Sequence, residues 1–505
     1  MLAAVRSAAV LGIDAYDVTV EVDATQGLPQ WTIVGLPLGA VKESRERVGS
    51  ALVNSGFTLP PRRITINLAP ADVRKDGTAF DLPIALGVLV ATGQLRPTAV
   101  DARVFVGELG LDGSVRGIRG ALSIARRAAG SADPCELIVP QANVAEARRV
   151  TSLRIAAPQN LRALANELQS GELSIAREGN GSAVHEDCLL DFSDVVGQQT
   201  AKRALEVAAA GGHNLSMTGP PGAGKTMLAR RLPGILPELS ESESLEVIAI
   251  QSVAGVLPAD VPPVCPRPFR APHHTISSAG LIGGGSTPRP GEVSLAHHGV
   301  LFLDEMLEFP RSVLEGLRQP MEDGRVVISR AAMSVAFPAR FTLVGATNPC
   351  PCGRLGDGTS VCACSAVDIT RYSKKMSGPL ADRIDMHVTV GRVALSDLAA
   401  VNNEEPSSEI RRRVGRARAR QGIRYARVAG VACNAHAAGR WIDAHGNVTS
   451  EARSLLHRAA DGLSLSARGY HRVLKVARTI ADLDESESVA VVHVAEALRY
   501  RQAHS

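Results

Sequence analysis

No stretch of this 505-residue chain approaches the roughly 20 uncharged apolar residues that a membrane-spanning helix requires, so a membrane protein built from helices is excluded. The opening residues, 1–18, hold one arginine and a short apolar run. Asp14 interrupts that run and no small-residue cleavage site follows, so a first strand of a cytoplasmic protein is expected there rather than a secretory leader. A strong charge of one sign is also missing: 55 Lys and Arg stand against 51 Asp and Glu, a formal net charge of +4. In a chain of this size that balance does not point to a polyanion, and only local clustering can argue for nucleic acid. No internal repeat of 20 to 50 residues and no low-complexity tract is present, which removes solenoids and repeat arrays. Eight cysteines without a secretory leader suggest metal binding or burial rather than disulfides.

What is present suits a multidomain α/β protein. Hydrophobic residues make up 45% and charged residues 21% of the chain, ample for real cores, and the length calls for two or three of them. Over residues 1–168, β-rich runs such as Tyr16–Val22, Ile64–Leu68 and Val104–Val106 alternate with helical stretches at Val41–Asn54 and Ala121–Ala129. Residues 169–190 are polar with Gly and Ser and read as a linker. Over 191–400 the apolar strand candidates His213–Thr218, Val300–Leu303 and Phe341–Thr347 are separated by helical patterns, the signature of a parallel sheet covered by helices. The stretch 401–409 resembles a hinge, and the remainder to residue 505 is Ala- and Arg-rich with helical periodicity.

The run Gly219, Pro220, Pro221, Gly222, Ala223, Gly224, Lys225, Thr226 fits G-x-x-x-x-G-K-[ST] between a strand and a helical segment, the context that makes it a phosphate-binding loop. Glycines let backbone N–H groups close around phosphate, the helix N-terminus adds favourable partial charge, Lys225 meets the β- and γ-phosphates of ATP, and Thr226 holds Mg²⁺. Downstream, the strand Val300–Leu303 ends in Asp304 and Glu305, which places a carboxylate at the edge where open α/β sheets bind ligands. Asp304 suits the metal. Glu305 suits the water that attacks the γ-phosphate, so hydrolysis and not binding alone is expected. A second buried strand delivers Asn348 to the same edge, where its amide can position water or touch the γ-phosphate.

These residues resemble the ComM/YifB group of magnesium-chelatase-like AAA+ proteins over nearly the whole chain. The resemblance rests on Phe269–Thr275, Gly291–Glu305, Gln319–Asp323, Thr347–Gly353 and Ser377–Asp385. It implies an AAA+ P-loop core with a parallel sheet and a C-terminal helical lid domain. It further implies that Asn348 is the sensor-1 residue and that Arg383 is an arginine finger reaching a neighbouring subunit's γ-phosphate, hence a homo-hexameric ring. Read without the family, Arg383 is a surface ion-pair partner of Asp382 or Asp385. Ser466–Arg472 resembles the sensor-2 helix, which lays an arginine over the nucleotide; Arg468 is the first choice and Arg472, one turn on, the second. His273 and His274 receive no catalytic role.

Cys350, Cys352, Cys362 and Cys364 lie in one short Gly- and Pro-rich loop. Four soft ligands can close a tetrahedral zinc site of structural character, although C-x-C is tighter than the usual C-x₂-C, and buried or redox-active thiols are the alternatives. Cys135, Cys188, Cys265 and Cys433 are isolated and read as packing residues. The amino-terminal region resembles the proteolytic domain of Lon through Lys75–Ala79, Gly107–Val115 and Leu137–Pro140, which implies a Lon-protease-like α+β domain. Ala79 stands at the serine nucleophile's position and Leu122 at the lysine's, so peptide hydrolysis fails on both counts.

The resemblance implies an ATP-driven DNA motor, a branch migration helicase acting on branched or single-stranded DNA in recombination or DNA uptake. Arg411, Arg412, Arg413, Arg416, Arg418, Arg420, Arg424 and Arg427 form a basic helical run that either tracks phosphates or is a solvated face. A protein-remodelling ATPase is one alternative. A magnesium-chelatase-like metal-insertion subunit is the other, weakened by its need for a partner subunit and by an amino-terminal half that such subunits are expected to lack.

Overall fold

The computed structural model describes residues 2–131, 135–176, 190–258, 265–285, 287–330, 333–356, 361–376, 378–393 and 404–501. The amino-terminal region builds a seven-stranded mixed sheet from β1 (Leu2–Leu11), β2 (Asp14–Thr25), β3 (Gln30–Val34), β4 (Arg63–Ala69), β5 (Arg103–Phe105), β8 (Glu136–Ile138) and β9 (Arg154–Ala156), in the order β3-β4-β2-β1-β5-β8-β9. A small hairpin, β6 (Glu108–Leu109) with β7 (Val115–Arg116), lies beside it. Alternation explains β1 and β2: Val5, Val18, Val20 and Val22 point to one buried face, and a two-residue turn pairs Leu11 with Asp14. Every residue of the helix Asp81–Ala91 is buried, and Gly87 lets it press on β2, since a Cβ there would sit 2.5 Å from Val22 Cγ2. The first-strand reading of the opening residues is thereby met by β1.

The second region adds β10 (Leu215–Thr218), β11 (Phe269–Arg270), β12 (Gly283–Gly284), β13 (Arg289–Pro290), β14 (Val300–Leu303), β15 (Arg325–Arg330), β16 (Met333–Pro338), β17 (Thr342–Thr347) and β18 (Met386–Thr389). Five of these form a parallel sheet in the order β11-β14-β17-β10-β18, while β12–β13 and β15–β16 are hairpins outside it. All residues of β14 and β17 are buried, the expected consequence of helices on both faces of a parallel sheet. Because β10 lies between β17 and β18, the carboxyl ends of β10, β14 and β17 open on one edge.

The last region is helical, with helices Ser407–Tyr425, Gly439–His445, Ser450–Gly462, Ala467–Leu483 and Val491–Arg499. Its apolar residues, among them Val414, Leu474 and Ile480, share one buried cluster with Leu205, Leu228 and Leu232 of the sheet region. The segment read as a hinge is docked where it is described: Glu404 pairs with Lys202 at 2.7 Å, and Ser407 Oγ accepts from the Phe192 N–H at 2.8 Å. A buried polar set ties the same two regions together, with Arg424 and Arg478 on Asp482 and with His213 2.7 Å from Thr479. The amino-terminal region meets the sheet region through Leu122, packed on Val247, Ile248 and Ala249, and through a hydrogen bond from Gly120 N–H to Ser252 Oγ. Most of the linker reading, 177–189, lies outside the described residues, as does Cys188.

The basic run does not form a continuous track. Arg411 donates to the Gly234 carbonyl, Arg418 to the Ala209 carbonyl, Arg413 pairs with Glu206 and Glu405, and Arg424 with Asp482. Arg412 and Arg416 are exposed but ion-paired with Glu409 and Glu485. An arginine every three or four residues on a helix faces its own core as readily as solvent, and here Gly234, Ala209 and Glu206 of the sheet region and Glu405 and Asp482 nearer the helix itself claim those side chains. No described helix is long and apolar enough to cross a membrane.

Candidate nucleotide site

The chain leaves β10 at Thr218 and turns through residues 219–224 into the helix Lys225–Ile235, with Gly222 and Gly224 at φ of +79° and +87°, where a side chain would be strained. Lys225 is buried. Its ammonium donates to the carbonyls of Gly219 (2.5 Å) and Pro220 (3.0 Å) and to Asn348 Oδ1 (3.2 Å). Burial pulls its pKa down, and the nearby charges of Asp304 and Glu305 pull the other way. Thr226 Oγ1 donates to Asp304 Oδ2 at 2.8 Å, so a hydroxyl and a carboxylate from two elements converge on one point. Hard oxygen donors of this kind suit Mg²⁺, which keeps several waters and takes few protein ligands. Glu305 sits at φ +48°, ψ +46°, a left-handed conformation seldom adopted by a non-glycine residue, and its side chain stands 54% exposed where water can reach it. The sequence-predicted Lys225, Thr226, Asp304, Glu305 and Asn348 are therefore gathered at one sheet edge.

The arginines are not. Asn214, at the amino end of β10, donates through its N–H to Asp385 Oδ2 (3.0 Å) and through its side-chain amide to the Arg383 carbonyl (3.2 Å). Arg472 donates to the same carbonyl and pairs with Asp385, while Arg383 pairs with Glu322 at 2.5 Å. Arg472 and His213 hold the Asp385 carboxyl far below the usual carboxylate range despite the upward push of burial. Arg468 is exposed and adds its charge to that of Arg383 and Arg472 at Glu322. A four-residue strand is about 13 Å long, so the Arg383 carbonyl and the Arg472 head group, both at the amino end of β10, stand about a strand's length from the loop that follows its carboxyl end. Arg468 is thus within electrostatic reach of Glu322, the ion-pair partner of Arg383.

Three family models match the chain: residues 191–398 match the one described as magnesium chelatase, subunit ChlI, residues 404–501 its C-terminal counterpart, and residues 20–143 one described as subunit ChlI of Mg-chelatase. The competence protein ComM of Haemophilus influenzae is 43% identical over 99% of this chain and 97% of its own length, and YifB of Escherichia coli is 42% identical over the same shares. The chain belongs to the ComM/YifB family of magnesium-chelatase-like AAA+ ATPases. The 38 kDa magnesium-chelatase subunit of Rhodobacter capsulatus is 30% identical over only 31% of this chain and 50% of that protein. Because residues 20–143 also match a ChlI description, the amino-terminal half does not by itself separate this ComM/YifB chain from chelatase subunits. The share of the chain that is alike does.

Two features of this ComM/YifB chain lie around the nucleotide edge. His274 reaches to 3.9 Å from Glu305 and meets Phe309 edge to face, although the sequence reading gave it no role; adjacent histidines alone do not reveal which carboxylate they will face. The four cysteine sulfurs lie within 4.8 Å of one another, Cys350 and Cys352 on the turn directly after Asn348 and Cys362 and Cys364 from the segment that precedes the helix Ala366–Ser373. Hydrogen bonding, first from the Arg354 N–H and then from Cys350, draws the Cys352 thiol down to about 6. Cys265 and Cys433 are buried, the packing role expected of them, and Cys433 also touches His436 at 3.4 Å.

Glu246, His297 and His298 form a second group of ligand-type atoms. The Arg340 N–H donates to His297 Nδ1 (2.9 Å), which leaves the proton of a neutral ring on Nε2, 2.8 Å from Glu246. A metal at Nε2 would require the opposite tautomer, so this group is read as a hydrogen-bonded brace. His297 holds the Glu246 carboxyl down to about 2.

Proposed function

We propose that the protein is a ring-forming, ATP-driven DNA motor of the branch migration type, serving recombination or DNA uptake. The single observation that carries this reading is the near-complete, full-length similarity to a protein named for competence, joined to a site that gathers Lys225, Thr226, Asp304, Glu305 and Asn348 for hydrolysis. In that site Lys225 and the loop N–H groups bind the phosphates, Thr226 and Asp304 hold Mg²⁺, and Glu305 orients and deprotonates water. Magnesium, when bound, neutralises charge on the phosphates. Asn348, on Lys225 already, is placed for the γ-phosphate.

The amino-terminal region is a Lon-protease-like domain without peptidase chemistry in this reading. Ala79 lines a cavity of about 1010 Å³ that contains no serine at that point, and Leu122 is buried against Val247 and Ile248. Four cysteines hold a structural zinc ion. Arg383 acts on a neighbour's nucleotide: its main chain lies at the amino end of the sheet, away from its own Lys225, and a ring would bring that end to the phosphate edge of the next subunit, while Arg468 serves as the sensor-2 arginine. Mixing Lys225→Ala with Arg383→Ala protein is then expected to restore ATP turnover above that of either variant, because one supplies the arginine and the other the phosphate loop. Lack of any recovery in mixed rings would remove the arginine from a neighbour's site.

The deciding experiment is ATP hydrolysis by the purified protein with and without single-stranded, duplex and four-way-junction DNA. Stimulation of at least about fivefold, greatest with branched DNA, is the expected outcome. An ATPase indifferent to every DNA but raised by unfolded polypeptide would favour protein remodelling, and one raised only by a tetrapyrrole-binding partner would favour metal insertion, to which the chelatase descriptions also point.

A further inference from the structure

The cysteine loop is built into the phosphate site rather than placed beside it. β17 ends at Thr347, Asn348 follows, and Cys350 comes two residues later and is fully buried. The Gly353 N–H donates to the Cys350 carbonyl at 2.9 Å, closing a turn at φ +75°, and a Cβ on Gly353 would stand 2.6 Å from Cδ of Pro221 in the phosphate loop. Any side chain there would push the two loops apart. Asn348 Oδ1 is in turn 3.2 Å from Lys225 Nζ.

The sulfur geometry matches an ion. Cys350 Sγ lies 3.4 Å from Cys352 Sγ and 3.7 Å from Cys362 Sγ, and Cys352 and Cys362 are 3.7 Å apart. Four thiolates about 2.3 Å from a central zinc in tetrahedral array stand about 3.8 Å from one another. Pairs bonded as a disulfide would be about 2 Å apart. A turn of this length, rich in Gly and Pro, has little apolar surface with which to fix itself, so a cross-linking ion supplies what packing does not.

We propose that these four cysteines bind zinc and that the ion fixes Asn348 against the phosphate loop, so that ATP turnover depends on the metal. The inference rests on the ATPase reading above for its consequence and on the sulfur geometry alone for the metal. Loss of zinc frees the Cys350–Gly353 turn, and Asn348 moves with it. Nucleotide binding through Lys225 and the N–H groups of residues 219–226, none of which the cysteine turn supplies, is retained.

The test begins with metal content of the purified full-length chain by mass spectrometry, where about one zinc per chain is expected. Cys352→Ser with Cys364→Ser should lower zinc at least tenfold and kcat by about 10- to 100-fold, the range seen when groups that orient a site are removed. Affinity for a fluorescent ADP analogue should stay within about threefold, and a melting curve reports whether the variant is folded. Stripping zinc from the wild type with a chelator and restoring it should lower and recover turnover without any mutation. Asn348→Ala should keep the zinc, and combining it with the cysteine pair should cost no more than the larger single loss, because both act through one amide. A chain without zinc, a zinc-free variant turning over like the wild type, or losses that simply add would each overturn the proposal. A zinc-loaded wild type with no ATPase at all would instead sink the ATPase reading and leave the metal site standing.

Discussion

Lys225→Ala is expected to lower ATP turnover at least about 1000-fold and to weaken ATP binding at least about 100-fold. The lysine is buried, and its three hydrogen-bond partners are two backbone carbonyls of the phosphate loop and the Asn348 amide oxygen. Those neutral acceptors leave the positive charge uncompensated nearby, apart from Asp304 and Glu305, and burial already pulls its pKa down. A triphosphate would satisfy that charge. Charge-assisted hydrogen bonds contribute about 1.5–3 kcal/mol each, so losing two of them accounts for the expected fall in affinity. Equilibrium binding of a fluorescent ATP analogue, with phosphate release followed on the same samples, measures both. Turnover within about tenfold of the wild type would remove residues 219–226 from the site.

Glu305→Gln is expected to separate binding from chemistry: kcat falls about 100- to 10,000-fold, the usual contribution of a general base, while ATP affinity stays within about threefold. The amide is nearly isosteric but cannot accept the proton of the attacking water. Asp304, which meets Thr226, is untouched by the change, and so is the lysine. The Glu305 backbone N–H is turned onto Asp304 Oδ1 at 3.0 Å, and its carboxylate stands out toward solvent and His274. The variant should therefore hold ATP without cleaving it, visible as unhydrolysed nucleotide retained through gel filtration. Free turnover by the variant would give the base role to another group.

Much of the site was legible because its signals are local. The phosphate loop needs glycines, a lysine and a hydroxyl at fixed spacing between a strand and a helix, and Asp304, Glu305 and Asn348 each follow a run of buried apolar residues. In a parallel sheet the carboxyl ends of neighbouring strands share an edge, so naming β10, β14 and β17 from sequence already placed their following residues together. The arginines were less legible. Arg383 reads as a surface ion-pair partner or an arginine finger, yet it is buried on Glu322 from a helix some 60 residues away, and in the run Arg411–Arg427 the side chains of Arg411, Arg413, Arg418 and Arg424 are turned inward. A long cation reaches about 6–7 Å from its backbone, far enough to serve either face of a helix, so spacing alone does not choose.

The sequence by itself determined the family and which residues meet at the sheet edge proposed for the nucleotide, since covalent order and strand direction suffice to bring them together. Only the tertiary structure decided that Arg383 pairs with Glu322 and Arg472 with Asp385 beyond the amino end of β10, that His274 faces Glu305, and that the cysteine turn bears on Pro221. Those contacts join segments far apart in the chain, and their partners are selected by packing and charge in the folded state, which no local pattern encodes.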